Sequence, residues 1–149
     1  MSEIKSECAL ADFAVRTHDK LRRGDADPGG HVLNYNFPIF CETGRGQIFR
    51  DPECVTLTMG FVPFVARFAI DYKAELFWPG TVEIGTGLKS IGRSSVLYLQ
   101  GLFQNGKCAA VAETVMVQVD STTRRAGADG YADQSLAGQV PAELRTTTV

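Results

Sequence analysis

The sequence predicts an α+β fold, in which a curved antiparallel sheet of about five strands wraps around one central helix. Most patterned segments alternate apolar and polar residues with the period of two that is typical of half-buried strands. Only one substantial segment has helical periodicity, and Asn105-Gly106 is a strong signal for a tight hairpin. Because one helix cannot cover both faces of such a sheet, we expect the sheet to curve around it and a second subunit to cover the rest.

The chain begins with a predicted strand and a loop. Phe13, Val15 and Thr17 alternate with Ala14 and Arg16, which indicates a strand over residues 13–17. Residues 25–34 then contain a proline and two consecutive glycines, which predict a loop.

The helix is predicted from Asn36 to about Ile48. Asn36 can cap its start, and Pro38 is tolerated in a first turn, where its missing N–H costs little. The positions expected on one helical face are Phe37, Phe40, Cys41, Gly44 and Ile48.

The remaining patterned segments are predicted strands, with a turn at Trp78-Pro79-Gly80 and the last strand running from about 108 to 119. Beyond Asp120 the residues become polar and small, so we expect the tail to be only partly ordered. The alternating positions are Val55, Leu57 and Met59; Ala66, Phe68, Ile70 and Tyr72; Val82 and Ile84; Leu97, Leu99, Gly101 and Phe103; and Val111, Val115, Val117 and Val119.

Composition favours one domain over residues 1–149, with a core of about 13–120 and a tail of about 121–149. A chain of 149 residues that is 44% hydrophobic can bury a substantial core. Its 15 basic and 17 acidic residues include no long basic run, which argues against nucleic-acid binding. No apolar stretch of about 18 residues and no N-terminal apolar leader are present, so we expect a cytoplasmic protein without a membrane partner.

The four cysteines, Cys8, Cys41, Cys54 and Cys108, form no C-x-x-C pair. This spacing makes a zinc site improbable and favours reduced, buried thiols. We expect no metal and no cofactor.

Residues 25–34, Asp25-Ala26-Asp27-Pro28-Gly29-Gly30-His31-Val32-Leu33-Asn34, are the most informative stretch of the chain. A carboxylate beside two glycines and a helix start can place a base or a nucleophile against an anion-binding site. Asp25 and Asp27 also imitate the first half of a calcium-binding EF-hand loop. The twelfth position of that loop would be Asn36 rather than glutamate, which argues against calcium.

The same stretch resembles the hotdog-fold acyl-CoA thioesterases of the 4-hydroxybenzoyl-CoA thioesterase type, and the similarity covers roughly residues 13–120. That family carries D-x-D-x-x-G-H-V-N-N and then E-x-x-R in its central helix. The matching residues are Asp25, Asp27, Gly30, His31, Val32 and Asn34, with Glu42 and Arg45 following; weaker matches are Ile70-Asp71-Tyr72, Gly92-Arg93-Ser94-Ser95 and Ala112-Glu113-Thr114.

The resemblance implies a hotdog fold and the hydrolysis of an acyl-CoA, or of a carrier-protein thioester, to a free acid and the thiol. It implies that Asp27 is the catalytic carboxylate and that backbone N–H groups near Asn34 hold the thioester carbonyl. It also implies a homodimer or homotetramer with active sites at the subunit interface.

A thioester suits these residues because its thiol leaving group, with a pKa of about 8.5, needs little help from a general acid. Asp27 can act as base or nucleophile, and the residues do not decide which. Gly30 lets the backbone approach the carbonyl closely. For the anionic CoA, Arg93, flanked by Ser94 and Ser95, is the first expected phosphate contact, and Lys89 is the second.

Several of these residues also have plain structural interpretations. Asp25 is expected to be a structural carboxylate of the loop. His31 is a candidate base, but a histidine that packs behind the loop is the favoured interpretation, and Asn34 can satisfy loop backbone. Glu42 and Arg45, three apart on the helix, can simply pair.

Two other functions stay open. One is a non-catalytic module that binds acyl-CoA or another ligand. The other is a hotdog dehydratase acting on a hydroxyacyl thioester, which needs a histidine paired with a carboxylate; the sequence shows no such motif.

Overall fold

The structure of the chain is a computed structural model that describes residues 8–50 and 61–125. One helix and five strands follow each other in the order β1 (Val15–Lys20), α1 (Phe37–Arg50), β2 (Phe61–Tyr72), β3 (Thr81–Ile91), β4 (Ser95–Gln104) and β5 (Lys107–Asp120). The strands form one antiparallel sheet in the order β1-β3-β4-β5-β2. This architecture confirms the predicted hotdog fold. The strand predicted around Val55, Leu57 and Met59, and the tail from residue 126 onward, lie outside the described residues.

The first strand begins at Val15, two residues later than predicted. The backbone N–H of Phe13 instead donates to the carbonyl oxygen of Leu10 in a short 3-10 turn. Its buried ring meets that of Phe103 edge-on, with 6.1 Å between the centroids. A Cβ at Gly85 would lie 2.4 Å from this ring, so a glycine on β3 makes room for it. The apolar residue at position 13 therefore marks packing rather than the start of the strand.

The two predicted turns are confirmed. Residues 78–80 form the bend that leads into β3. Asn105 and Gly106 join β4 to β5 with positive φ angles of 51° and 78°. Both residue types accept this left-handed conformation, which matches the right-handed twist of the two strands.

The helix lies over β1, β3 and β4, and its predicted apolar face is buried. Gly44 brings it close to the sheet, because a Cβ there would lie 2.6–2.7 Å from side-chain atoms of Ile84, Thr86 and Gln100. Pro38 sits in the first turn as predicted.

The capping of the helix start differs from the prediction. A 3-10 turn, Asn34–Asn36, leads into α1. The side-chain amide of Asn36 does not cap the helix but donates to the backbone carbonyl of Asp25, with 2.9 Å between the atoms. Asn36 therefore ties the helix start to the loop before it.

Within the described ranges 8–50 and 61–125, no helix combines the length and the hydropathy that a bilayer crossing requires.

Candidate active site

The loop of residues 25–34 is a narrow hairpin that ends at the helix start. Ala26 and Val32 form an isolated antiparallel bridge, and the N–H of Leu33 donates to the carbonyl of Asp25 at 3.0 Å. At the tip, the N–H of Asp27 donates to the carbonyl of His31 at 2.9 Å. Residues 27–31 thus form the tip of the hairpin, held by the hydrogen bonds between its two backbone segments.

Gly30 sets the shape of this tip. Its φ of +87° lies in the left-handed region that glycine adopts without strain. Its N–H donates to the carbonyl of Asp27 at 3.0 Å, and its own carbonyl accepts the N–H of Trp78 at 2.8 Å. The amide of Gly30, a residue that we expected to let the backbone approach substrate closely, is therefore engaged inside the loop.

The two oxygens of the Asp27 carboxylate have different environments. Oδ1 accepts the backbone N–H groups of Gly29 and His31, each at 2.9 Å. Oδ2 accepts no hydrogen bond within the described residues, and the side chain is only partly buried. One oxygen therefore fixes the carboxylate, and the other stays available for water or substrate.

Asp25 has the geometry of the structural carboxylate that we expected. It is buried, and its Oδ2 accepts the backbone N–H of Arg22 at 2.8 Å, while Oδ1 lies 3.3 Å from the guanidinium of the same residue. The sequence did not single out Arg23, which also braces the loop. Its Nη1 donates to the carbonyls of Ala26 and Asp27, each at 3.3 Å, and its guanidinium lies 5.3 Å from the ring centre of Trp78.

The 3-10 turn at the helix start, together with Phe37, has four backbone N–H groups, of which two are engaged and two are available as donors within the described residues. The N–H of Asn36 donates to Leu33, and that of Phe37 donates to Asn34. Those of Asn34 and Tyr35 donate no hydrogen bond in the part of the chain that the structure describes. Such N–H groups carry the partial positive charge of a helix N-terminus and favour an anion.

His31 lies beside the carboxylate and has a partner that the sequence did not reveal. Its Nδ1 lies 3.0 Å from Oε1 of Glu75 without the geometry of a hydrogen bond, and its ring packs on Phe77 with 4.9 Å between the centroids. A Cβ at Gly29 would lie 3.4 Å from both Asp27 Oδ1 and His31 Cδ2, so the carboxylate and the imidazole flank the same glycine. No periodicity connects positions 31 and 75, so only folding could bring them together.

Arg93 and Ser95 are not brought together with Asp27 within one protomer. The Asp27 loop follows the end of β1, where Lys20 pairs with Thr81 at the start of β3. Arg93 and Ser95 lie at the turn after the other end of β3. From Thr81 to Ile91, β3 advances ten residues, or about 33 Å, and this length separates Arg93 and Ser95 from the Asp27 loop.

Lys89 is not available for a phosphate contact, because it is buried in an ion pair. Its Nζ lies 2.6 Å from Oε1 of Glu113, and each side chain is only 5% exposed. Binding a phosphate would require this ion pair to open.

Other cationic groups lie closer to the loop. Lys73 and Lys107 line a pocket of about 430 Å³ that also contacts Glu75, Phe77 and Gln104. Because Glu75 and Phe77 both contact His31, this pocket borders the Asp27 loop.

Two further observations concern metal ligands and thiols. The described residues contain no cluster of three or more His, Cys, Asp or Glu side chains that could hold a metal ion. Burial raises the pKa of the Cys41 thiol to about 12, so this thiol on α1 stays protonated and unreactive near neutral pH.

Glu42 and Arg45 do not form the pair that their spacing suggested. Glu42 is exposed on the outer side of α1, whereas Arg45 is 6% exposed and points into the sheet. Its Nη1 donates to Gln100 Oε1 at 3.0 Å and to Thr114 Oγ1 at 3.1 Å.

Comparisons with known proteins agree with this architecture. The family model of the thioesterase-like superfamily matches residues 21–145. A thioesterase from Thermus thermophilus, solved with coenzyme A and Zn, is 26% identical with a TM-score of 0.67, covering 92% of this chain and 98% of its own. The PA5185 protein from Pseudomonas aeruginosa strain PAO1 is 24% identical with a TM-score of 0.69, covering 92% and 90%. DHNA-CoA thioesterase from Staphylococcus aureus is 20% identical with a TM-score of 0.63, covering 75% and 78%. A search of curated proteins finds no match.

Proposed function

This chain belongs to the thioesterase-like superfamily, and from that premise we propose that it hydrolyses an acyl-CoA to a free acid and CoA, with Asp27 as the catalytic carboxylate. The observation that carries this proposal is the asymmetry of that carboxylate. Oδ1 is fixed by two backbone N–H groups, while Oδ2 is free among the described residues. A positioned but unoccupied carboxylate oxygen suits a base or a nucleophile.

The reaction can proceed by either of two routes. As a base, Asp27 takes a proton from water while the water oxygen attacks the thioester carbonyl. As a nucleophile, its oxygen attacks the carbonyl, and water then hydrolyses the resulting anhydride. In both routes the C–S bond breaks, the thiolate leaves and takes up a proton, and the acid forms.

The developing oxyanion needs hydrogen-bond donors. We assign this role to the backbone N–H groups of Asn34 and Tyr35, which are unoccupied within the described residues and lie at the N-terminal end of α1. Removing one such donor from an enzyme typically lowers the rate by about 10²–10³. Gly30 contributes by shaping the loop, since its own amide is already engaged.

CoA binding can be divided between subunits in the proposed homodimer or homotetramer. Arg93 and Ser95 lie too far from Asp27 in the same protomer, so their proposed phosphate contact requires a second subunit. Lys73 and Lys107 line the pocket beside Glu75 and offer an alternative within one protomer. Mixed oligomers of an Asp27→Asn subunit and an Arg93→Ala subunit distinguish the two arrangements. If each site combines Asp27 of one subunit with Arg93 of the other, the mixed oligomer contains one intact site and regains activity. If each site lies within one subunit, every site is defective and activity is not regained.

The proposal is tested by free-thiol release from a panel of acyl-CoAs and acyl carrier-protein thioesters, with wild type beside Asp27→Asn. We expect turnover of at least one substrate, reduced by about 10² or more in the variant. Turnover that survives the substitution would move the catalytic role elsewhere, with His31 and Glu42 next. A broad panel without turnover, but with saturable binding of an acyl-CoA, would favour a non-catalytic binding module.

The pairing of His31 with Glu75 favours a second candidate, a dehydratase acting on a hydroxyacyl thioester. If the nearby carboxylate of Glu75 aligns with Nδ1, the histidine can remove the proton next to the thioester carbonyl, and the hydroxyl group then takes up that proton and leaves as water. Chromatography of products separates the two functions, because dehydration gives an enoyl thioester and no free thiol.

A further inference from the structure

Arg45 is a buried cation that forms no ion pair with the described residues. It is 6% exposed. Burial lowers its pKa, but a guanidinium stays charged in proteins. A buried charge is costly unless it is paired. Exposed Glu42, on the same helix, favours the charge only from a distance, so the fold keeps a buried positive charge that no carboxylate of the described residues contacts.

The guanidinium also has unused donors. Of its five N–H groups, Nη1 supplies the bonds to Gln100 and Thr114, whereas Nε and Nη2 donate no hydrogen bond within the described residues. Gln100 is itself held, because its Nε2 donates to the carbonyl of Cys41 at 2.8 Å and to Thr86 Oγ1 at 2.9 Å. Arg45 is thus anchored on one side, with its other donors free for a ligand.

The guanidinium lies toward β2 and β5, the strands with which α1 has few contacts. The main contacts of α1 are with β1, β3 and β4. Thr114 on β5 pairs with Phe68 on β2, whose ring centre lies 5.9 Å from the Arg45 guanidinium. Both residues therefore face the helix side of the sheet.

A row of partly exposed side chains on β2, called the groove below, runs from Arg45 toward the proposed oxyanion site. Ile70 and Tyr72 share a face of β2 with Phe68, because side chains alternate along a strand. Phe68 and Ile70 are partly exposed, and Tyr72 is 48% exposed. At the end of the groove opposite Arg45, the hydroxyl of Tyr72 donates to the carbonyl of Asn34 at 3.0 Å. The ring of Tyr72 meets that of Phe37, with 5.1 Å between the centroids.

Two independent lengths describe this groove. From Tyr72 to Phe68 the strand advances four residues, or about 13 Å. From Phe37 to Arg45 the helix advances eight residues, or about 12 Å. Helical side chains lean toward the N-terminus, which brings the guanidinium nearer the turn, to about 10 Å. An acyl chain of medium length, starting at the helix-start amides, can span this distance.

We propose that the acyl group lies along this groove and that Arg45 binds an anionic oxygen at its distal end, so that the protein selects ω-carboxyacyl thioesters over uncharged ones. The proposal deepens the function proposed above and rests on it for the position of the thioester carbonyl. The carboxylate would supply the direct ion-pair partner that Arg45 lacks among the described residues, and its two oxygens match the fork of donors on a guanidinium.

Suberyl-CoA and octanoyl-CoA test the proposal, because they have the same chain length and differ in the distal carboxylate. We expect wild type to favour suberyl-CoA in kcat/KM. Arg45→Met should lower kcat/KM for suberyl-CoA by about 10- to 100-fold, the usual loss of a hydrogen bond to a charged group, and leave octanoyl-CoA within a few-fold. Arg45→Lys should keep part of the preference. An equal loss on both substrates would mean that Arg45 only anchors the helix, and would overturn the proposal.

Binding of non-hydrolysable thioether analogues of the two substrates separates this proposal from the proposed activity. Calorimetry on wild type should show tighter binding of the carboxylated analogue, and this measurement does not depend on whether Arg45→Met folds. If neither thioester is hydrolysed but the carboxylated analogue binds more tightly, the activity is wrong and the Arg45 site stands. If both thioesters are hydrolysed and both analogues bind equally, the activity stands and the Arg45 site is wrong.

Discussion

The Asp27 loop and the Arg45 network are both built from hydrogen bonds to a charged side chain, but they differ in where the partners come from. The carboxylate of Asp27 is held by amides two and four residues away. Arg45 is held by Gln100 and Thr114, which are 55 and 69 residues away. The loop is therefore a local structure that its own residues specify, whereas the network exists only after the helix has docked on the sheet. Replacing Asp27 should therefore mainly affect chemistry, whereas disturbing the packing that positions Arg45 should mainly affect stability.

The largest effect is expected from Asp27→Asn, and comparing it with Asp25→Asn distinguishes a catalytic from a structural carboxylate in the same loop. Asp27→Asn should lower turnover by about 10² or more and change the free energy of unfolding little, because the amide oxygen can still accept from Gly29 and His31. Asp25→Asn should instead destabilise the protein by about 1–3 kcal/mol, because both oxygens of this buried carboxylate are engaged by Arg22 and an amide can accept at only one of the two positions. Thiol-release kinetics and urea denaturation measure the two effects. Equal losses of stability would remove the functional distinction between the two aspartates.

The second prediction concerns the contact that makes the Arg45 network possible. Gly44→Ala should cost about 1–3 kcal/mol, because its Cβ would meet side chains of Ile84, Thr86 and Gln100 at 2.6–2.7 Å and push the helix outward. Gly46→Ala is the matched control on the same helix, since nothing lies within 4 Å of its Cβ. It should be neutral or stabilise by up to about 1 kcal/mol. Thermal denaturation gives both values, and a destabilised Gly46→Ala would contradict the packing argument.

The third prediction tests whether the backbone conformation of the loop requires glycine. Gly30→Ala places a side chain at a φ of +87°, with its Cβ 3.0 Å from the carbonyl oxygen of Trp78. We expect a loss of about 1–2 kcal/mol together with lower activity, because the strained tip re-aims Asp27. Gly24→Ala, which has open space around it, should leave both quantities unchanged. Full activity in Gly30→Ala would show that the loop tolerates another conformation.

The smallest effect is expected at the pairing of His31 with Glu75. Both side chains are substantially exposed, so Glu75→Gln should change stability by less than about 1 kcal/mol. If Asp27 carries the thioesterase reaction, the turnover of the best acyl-CoA should change only a few-fold. A large loss of enoyl product from a hydroxyacyl thioester, with no effect on thiol release, would instead support the dehydratase.

Much of the fold could be predicted from the sequence because it depends on local or periodic features. Alternation at Val82 and Ile84, the Asn105-Gly106 hairpin and the apolar helical face around Cys41 each reflect physics within a few residues. The loop of residues 25–34 was predicted for the same reason, since Pro28 restricts the backbone locally and the two glycines allow turn conformations that other residues avoid. The position of the helix start was predicted, but the capping role of Asn36 was not correct, because its side chain donates across the loop to Asp25.

The sequence by itself determined the class of fold, the family and the position of one candidate carboxylate, because periodicity, turn chemistry and a short motif are properties of neighbouring residues. Tertiary structure alone decided which charged groups meet. It buried Arg45 under the helix, paired Lys89 with Glu113, placed Glu75 beside His31 and separated Arg93 from Asp27 by the length of a strand. Electrostatic and hydrogen-bond energies depend on distance in space and on exposure to water, and neither quantity is encoded in the spacing of residues along the chain.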